Sequence, residues 1–265
     1  MLFGMQLFRA YLVSMALLFC GGQAQAQTPT LAGIAHVAIR TSNLARSVDF
    51  YQKLEFEQAF AFSKDGATTE SFLKVNDCQF IEVYPSQTDG FMHVCFAATY
   101  LRDVNSTYLA RGLSPTPVKR AGAGNLLFTM VGPEQQNIEY TQYMPGSLHS
   151  NDQGKHLGGH RIADQIVGVR IPMQDPSAAQ TFYEQKLGFR PSGRALALPG
   201  ASGQTVEFGS PFQIFFAVRS LRDTAAQLAA LQLPVVKKRS RLTIHDPDGN
   251  QIVFVRIQAG NEDPH

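Results

Sequence analysis

The chain has 265 residues, 44% hydrophobic and only 17% charged, so it can bury one large core or two of ordinary domain size. Its formal net charge is +2, and Lys and Arg are scattered rather than clustered. That excludes the basic footprint of a nucleic-acid binder and leaves a small molecule as the expected partner.

The first 26 residues read as an export leader. Arg9 gives a weakly positive start, Tyr11 to Cys20 is an apolar run, and Ala24-Gln25-Ala26 is a small-x-small cleavage site before Gln27. The run is shorter than the ~18 residues that span a bilayer. The expectation is a secreted or periplasmic protein with no membrane attachment after cleavage. Only Cys78 and Cys95 then remain, either as a bridge in an oxidising compartment or as two small buried residues.

Ile34 to Ile39 predicts a strand, and the cap-type Ser42-Asn43 followed by helical spacing through Phe50-Tyr51 predicts a helix that ends at Lys53-Leu54-Glu55-Phe56. Met92 to Phe96 opens another strand. A helix follows from Leu101 to Arg111, stopped by Gly112, and then strands at 126–131 and 137–141. Pro145 to Asp164 is rich in Gly, Ser, Asn and His and reads as a surface linker.

The pattern then repeats. A strand at 166–171, a helix from Asp175 to Tyr183 and Lys186-Leu187-Gly188-Phe189 place Phe182-Tyr183 at 132 residues (182 − 50) from Phe50-Tyr51. A strand at 214–218, a helix from Leu221 to Leu231 and closing strands around Leu242 and Ile252 complete four copies of one module.

Four residues recur at matched places in the first two modules. His36 and Glu82 are 46 residues apart (82 − 36), and so are His93 and Glu139 (139 − 93). Period-2 alternation puts Ile34, Ala38 and Arg40 on the face of His36, Phe80 and Tyr84 on that of Glu82, and Cys95 and Ala97 on that of His93. Carboxylates and imidazoles on such an apolar face are costly unless ionically paired or bound to metal. Two His and two Glu suit a divalent Ni, Co, Zn, Fe or Mn ion, and affinity order alone does not choose among them.

His36-Val37-Ala38-Ile39 with Phe50-Tyr51, Gly90-Phe91-Met92-His93 and Asp246-Pro247-Asp248-Gly249-Asn250 resemble the vicinal oxygen chelate superfamily, which includes glyoxalase I, extradiol dioxygenases and bleomycin-resistance proteins. The resemblance implies an α+β fold of four βαβββ modules in two tandem domains with curved mixed sheets. It puts a metal-bearing domain at 31–144, a linker at 145–163, a degenerate domain at 164–258 and a tail at 259–265. It also places ligands at His36, Glu82, His93 and Glu139. In the second half Gly168 stands for His36, Glu207 for Glu82, Gln213 for His93 and Val253 for Glu139, so that half is expected to carry no metal. Retention of the quartet in one half favours pairing of neighbouring modules. Asp246 to Gly249 reads as a turn and His245 as a surface residue.

The same resemblance implies a metal-dependent lyase or isomerase of glyoxalase I type, acting on vicinal oxygens through an enediolate, with Glu139 or Glu82 as base and Arg40 contacting substrate. Ser86 and Asp89 depart from the glutathione contacts of that family. The first alternative is an extradiol Fe(II) dioxygenase using His36, His93 and Glu139, and Glu82 separates the two because a fourth ligand crowds out O₂. The second alternative is a binding protein of the bleomycin-resistance type.

Overall fold

The computed structural model describes residues 28–201 and 203–256. The leader expected over 1–26 and the tail expected over 259–265 lie outside the described residues. Among the described residues no helix is long and apolar enough to cross a membrane.

The first half contains β1 (Gly33–Thr41), α1 (Leu44–Lys53), β2 (Gln58–Lys64), β3 (Ala67–Asn76), β4 (Gln79–Pro85), β5 (Gly90–Ala97), α2 (Leu101–Ala110), β6 (Lys119–Arg120), β7 (Leu126–Val131) and β8 (Asn137–Gln142). A short helix, α3 (Leu148–Asn151), lies in the segment between the halves. The second half repeats the order as β9 (Gln165–Ile171), α4 (Pro176–Phe182), β10 (Arg190–Ser192), β11 (Ala195–Ala197), β12 (Thr205–Phe208), β13 (Gln213–Val218), α5 (Leu221–Ala230), β14 (Val236–Lys238), β15 (Arg241–His245) and β16 (Gln251–Arg256). The strands form two eight-stranded mixed sheets, ordered β2-β3-β4-β1-β5-β8-β7-β6 and β10-β11-β12-β9-β13-β16-β15-β14. Each sheet joins neighbouring modules. The fold is therefore α+β with two tandem domains of four modules, as the repeat predicts.

Local chemistry starts three of the helices, while α2 begins at Tyr100 without a side-chain cap. Asn43 accepts from the Arg46 N–H, Asp175 from Ala178 and Ser220 from Asp223, each capping a helix N-terminus. The chain leaves α4 through one π-helical turn (Tyr183–Leu187) into left-handed Gly188, φ 84°. At the same place after α1 stands Glu55, held at φ 60°, with its carboxylate accepting from the His160 N–H.

Alternate strand residues face a core shared by both halves. Val37, Ile39, Ile81, Val94 and Ile138 of the first sheet join Val169, Ile171, Ile214 and Phe254 of the second in one cluster. Phe56 stacks on Phe216, and Phe96 meets Phe189 edge-on. Polar links cross the boundary in matched pairs. Tyr51 of α1 donates to Asp246, just before β16, while Tyr183, just after α4, donates to Gln136, just before β8. The turn from Asp246 to Gly249 thus also anchors α1, since Asp248 accepts from Arg46 and Ser47. His245 is exposed, as expected.

One detail of the alternation differs from the sequence expectation. A register shift in β1 between Ile34 and His36 pairs Ile34 with Phe96 and His36 with Cys95. Ile34 therefore joins the common core rather than the face of His36. The extra residue of a β-bulge reverses the alternation, and no residue type in this stretch marks it. Side-chain amides from both halves brace this region: Gln204 of the second half accepts from Ile34 N–H, and Gln79 of the first both accepts from Ile166 N–H and donates to the Ile34 and Ile166 carbonyls.

Candidate metal centre

Strands β4, β1, β5 and β8 are adjacent in the first sheet, and each contributes one residue of the quartet. Register sets them in two neighbouring rows on the face away from the common core. Glu82 and His93 flank Ala38 in one row, and Cys95 and Glu139 continue from His36 in the next. His36, Glu82 and His93 are each at most 5% exposed.

His36 is the centre of the group. Its Nδ1 lies 2.9 Å from Glu82 Oε1, and its Nε2 lies 3.0 Å from His93 Nε2 and 3.6 Å from Glu139 Oε1. Donor atoms of His36, Glu82 and His93 all lie within 4.8 Å of one another, and so do those of His36, Cys95 and Glu139. Both oxygens of Glu82 have partners, since Tyr84 Oη is 3.1 Å from Oε2. The same hydroxyl also faces Glu70, and its single proton goes to one of the two carboxylates at a time.

Electrostatics follow from burial and this pairing. Burial pushes the His36 pKa down, but the charges of Glu82, Glu139 and Glu70 outweigh it and leave the ring raised. Glu82 is the reverse: burial raises it, and His36 brings it below the usual carboxylate value. His93 falls to about 3 through burial and the neighbouring His36. Glu139 is raised by burial, reinforced by the Glu82 charge against the pull of His36. Burial together with Glu82 lifts Glu70 to about 7, and the Cys95 thiol is pushed well up by burial first.

A cation fits this donor set. With Nδ1–H of His36 given to Glu82, its Nε2 presents a lone pair towards His93 Nε2 at 3.0 Å, and the other His93 nitrogen, Nδ1, is buried with no partner. Two lone pairs that close repel unless a proton or an ion lies between them. Ligands ~2.1 Å from an ion and at right angles are roughly 3.0 Å apart, which matches the two imidazoles. A carboxylate on the far nitrogen of a ligating His is the usual outer-shell arrangement.

Beside the group lies a cavity of about 290 Å³, whose lining includes His36, Glu82 and Glu139, the aromatic Phe62 and Phe72, and the exposed Lys119 and Arg120. Arg40 is half-buried on the same face, one step beyond Ala38, and does not line this cavity. Tyr143 and His149 do. His149 belongs to the segment expected to be a surface linker, which instead carries buried Ser147, His149 and Asp152. Lys74, wholly buried, holds that segment down through the Asp152 carboxylate at 2.8 Å and the Lys155 carbonyl at 2.8 Å. Lys74, Glu70, Tyr143 and His149 carry no sequence signal of this role, because nothing local distinguishes them from surface polar residues. Cys78 and Cys95 are separate thiols, one exposed and one buried.

In the second sheet register confirms the matched positions. Phe215 pairs with Gly168 and Val253 as Cys95 pairs with His36 and Glu139, and Arg170 pairs with Glu207 and Gln213 as Ala38 pairs with Glu82 and His93. Arg170 donates to the Glu207 carboxylate, with Nε at 3.0 Å. A Cβ added at Gly168 would sit 3.0 Å from Thr205 Oγ1 and 3.1 Å from its carbonyl oxygen, so a side chain there needs β12 to give way by a few tenths of an ångström.

No protein-family model matches the chain, and no curated protein sequence matches it. Its likeness to known proteins is structural. The 2,3-dioxygenase LapB from Pseudomonas sp. KL28 superposes with a TM-score of 0.69 at 14% identity, over 90% of this chain and 97% of that one. A catechol 2,3-dioxygenase gives 0.67 at 14%, over 89% and 92%. The Mn(II)-bound glyoxalase from Novosphingobium aromaticivorans gives 0.66 at 13%, over 86% and 82%. The chain has the fold of the vicinal oxygen chelate superfamily, and within that fold it carries buried His and Glu groups grouped as metal ligands are.

Proposed function

We propose that the protein is a metal-dependent enzyme acting on a small molecule through two vicinal oxygens, and that extradiol-type dioxygenation is the activity its site supports best. The observation that carries this reading is the place of Glu82, whose Oε1 lies 2.9 Å from His36 Nδ1, the ring nitrogen turned away from His93. Glu82 then orients His36, and the ligands are His36 Nε2, His93 Nε2 and Glu139. Once bound, a divalent metal on two His and one carboxylate supplies Lewis acidity and open positions for a diol and O₂.

The chain's own residues do the rest. Glu82 fixes the tautomer of His36 with its lone pair towards the site. Phe62 and Phe72 give the cavity an apolar lining suited to an aromatic or carbon-rich substrate, and Glu139, with its raised carboxyl, borders the same space. Tyr84 connects Glu82 to Glu70 near the cavity, which gives protons a hydrogen-bonded route away from the ligand set.

The glyoxalase-type lyase or isomerase is the second reading, favoured by the approach of His36, Glu82 and His93 donor atoms to within 4.8 Å. There Glu82 turns inward as a fourth ligand, and Glu139 moves the proton between adjacent carbons. Purified protein reconstituted with Fe(II) and given a catechol separates the two: O₂ uptake with ring cleavage supports the dioxygenase. Isomerisation of an α-hydroxycarbonyl-type substrate without O₂, and no uptake with catechols, overturns it. Export is a separate proposal that rests on the leader pattern of residues 1–26 alone, and N-terminal sequencing of secreted or periplasmic protein, expected to begin at Gln27, tests it.

A further inference from the structure

His149 comes from the segment between the two halves, yet it stands among the residues lining the cavity beside His36, Glu82 and Glu139. Four aromatic rings hold its side chain. Tyr143 stacks on it with ring centroids 5.0 Å apart, and Phe60, Phe72 and Phe80 meet it edge-on at 5.0, 5.5 and 4.7 Å. The segment is latched by the buried contacts of Lys74 to Asp152 and Lys155.

Hydrogen bonds fix which ring nitrogen carries the proton. Asn125 Oδ1 accepts from the Met144 N–H at 3.1 Å, so the Asn125 amide group Nδ2 is the one that faces His149 Nδ1, at 2.9 Å. Nδ2 can only donate, and Nδ1 must therefore accept. Burial holds the ring at about 4, uncharged at neutral pH. The proton of the neutral imidazole is left on Nε2, which is buried without any partner. A buried N–H with no acceptor is costly and rare in folded proteins.

We infer that His149 is a substrate-binding residue, whose Nε2–H donates a hydrogen bond to a proton-free oxygen of the bound molecule: a phenolate, enolate or carbonyl oxygen. A hydroxyl that must itself donate is not matched, because the ring has no acceptor left to offer. The segment joining the halves is then part of the active site and sets which protonation form of the ligand is held. This inference rests on the cavity being the substrate site.

The test uses the full mature chain loaded with zinc, with 4-nitrocatechol as the probe and its absorbance as the readout. His149→Phe keeps the ring packing and removes the donor along with the acceptor of Asn125 Nδ2, so zinc content and the wild-type melting behaviour are the controls for an intact fold. The expected result is unchanged zinc content with probe affinity weakened about ten- to hundredfold, the range for a hydrogen bond to a charged group. Equal affinity with equal zinc overturns the donor role alone. A wild type that takes up no zinc, or zinc but no probe, overturns the site reading and this inference with it. Nitrogen NMR of ring-labelled wild type tests the same point without a mutation: the proton should reside on Nε2 and that signal should move when the probe binds, whereas a proton on Nδ1 overturns the inference.

Discussion

Replacing Glu82 by Gln removes one charge while keeping the side chain's size and one acceptor oxygen. In the structure Oε1 lies 2.9 Å from His36 Nδ1 and Oε2 lies 3.1 Å from Tyr84 Oη. The amide can keep its oxygen on His36 and turn its NH₂ towards Tyr84, whose hydroxyl still reaches Glu70. Ring orientation survives in that arrangement, but the basicity that a carboxylate lends to the ligating nitrogen is lost. Loss of such an outer-shell partner typically weakens metal binding ten- to hundredfold, or about 1.4–2.8 kcal/mol. Competition titration against a chelator of known affinity measures this directly, with His36→Ala as the reference for loss of a ligand. If Glu82→Gln loses its metal as completely as His36→Ala, Glu82 is a ligand and the three-ligand centre is wrong. If affinity does not change at all, Glu82 plays no part.

Lys74→Met removes the buried ammonium that Asp152 and Asp77 share, leaving the Asp152 carboxylate only its contact with His156, and thermal or urea unfolding should show a loss of about 3–5 kcal/mol; a loss below 1 kcal/mol would mean the latch is held by other contacts. Tyr51→Phe removes the donor to buried Asp246 and should cost about 1–3 kcal/mol in the same assay, with metal content unchanged. Burial depresses the folded-state pKa of His149 to about 4 from the model-compound 6.5, so the unfolded chain binds its proton first. Its contribution is complete above pH 6.5 and is lost as pH falls towards 4, by up to about 3 kcal/mol. Urea titrations of the chelator-treated protein should show that slope, and His149→Phe should flatten it. Glu207→Gln in the second half should leave metal stoichiometry untouched, because that carboxylate serves Arg170; a fall in bound metal would place a ligand there.

Much of this protein is written locally. Asn43, Asp175 and Ser220 mark their helices because a short polar side chain satisfies a free N–H at a helix start. The repeat of Lys53-Leu54-Glu55-Phe56 as Lys186-Leu187-Gly188-Phe189 reflects one left-handed turn used twice. The quartet is legible because the same strand positions recur 46 residues apart, and strand alternation then aims them at one face. Gly168, Glu207, Gln213 and Val253 are legible as their counterparts for the same reason.

Other features arise only where distant strands meet. Which modules share a sheet depends on the β1–β5 and β9–β13 pairings, which no short stretch of sequence encodes. The bulge that sends Ile34 to the core comes from register against β5. Whether Glu82 meets a metal or the far nitrogen of His36 turns on ring orientation across two adjacent strands, set within tenths of an ångström. His149 and Lys74 enter the site's surroundings only because the segment joining the halves folds back on the first sheet, where burial converts ordinary polar residues into groups that must find partners.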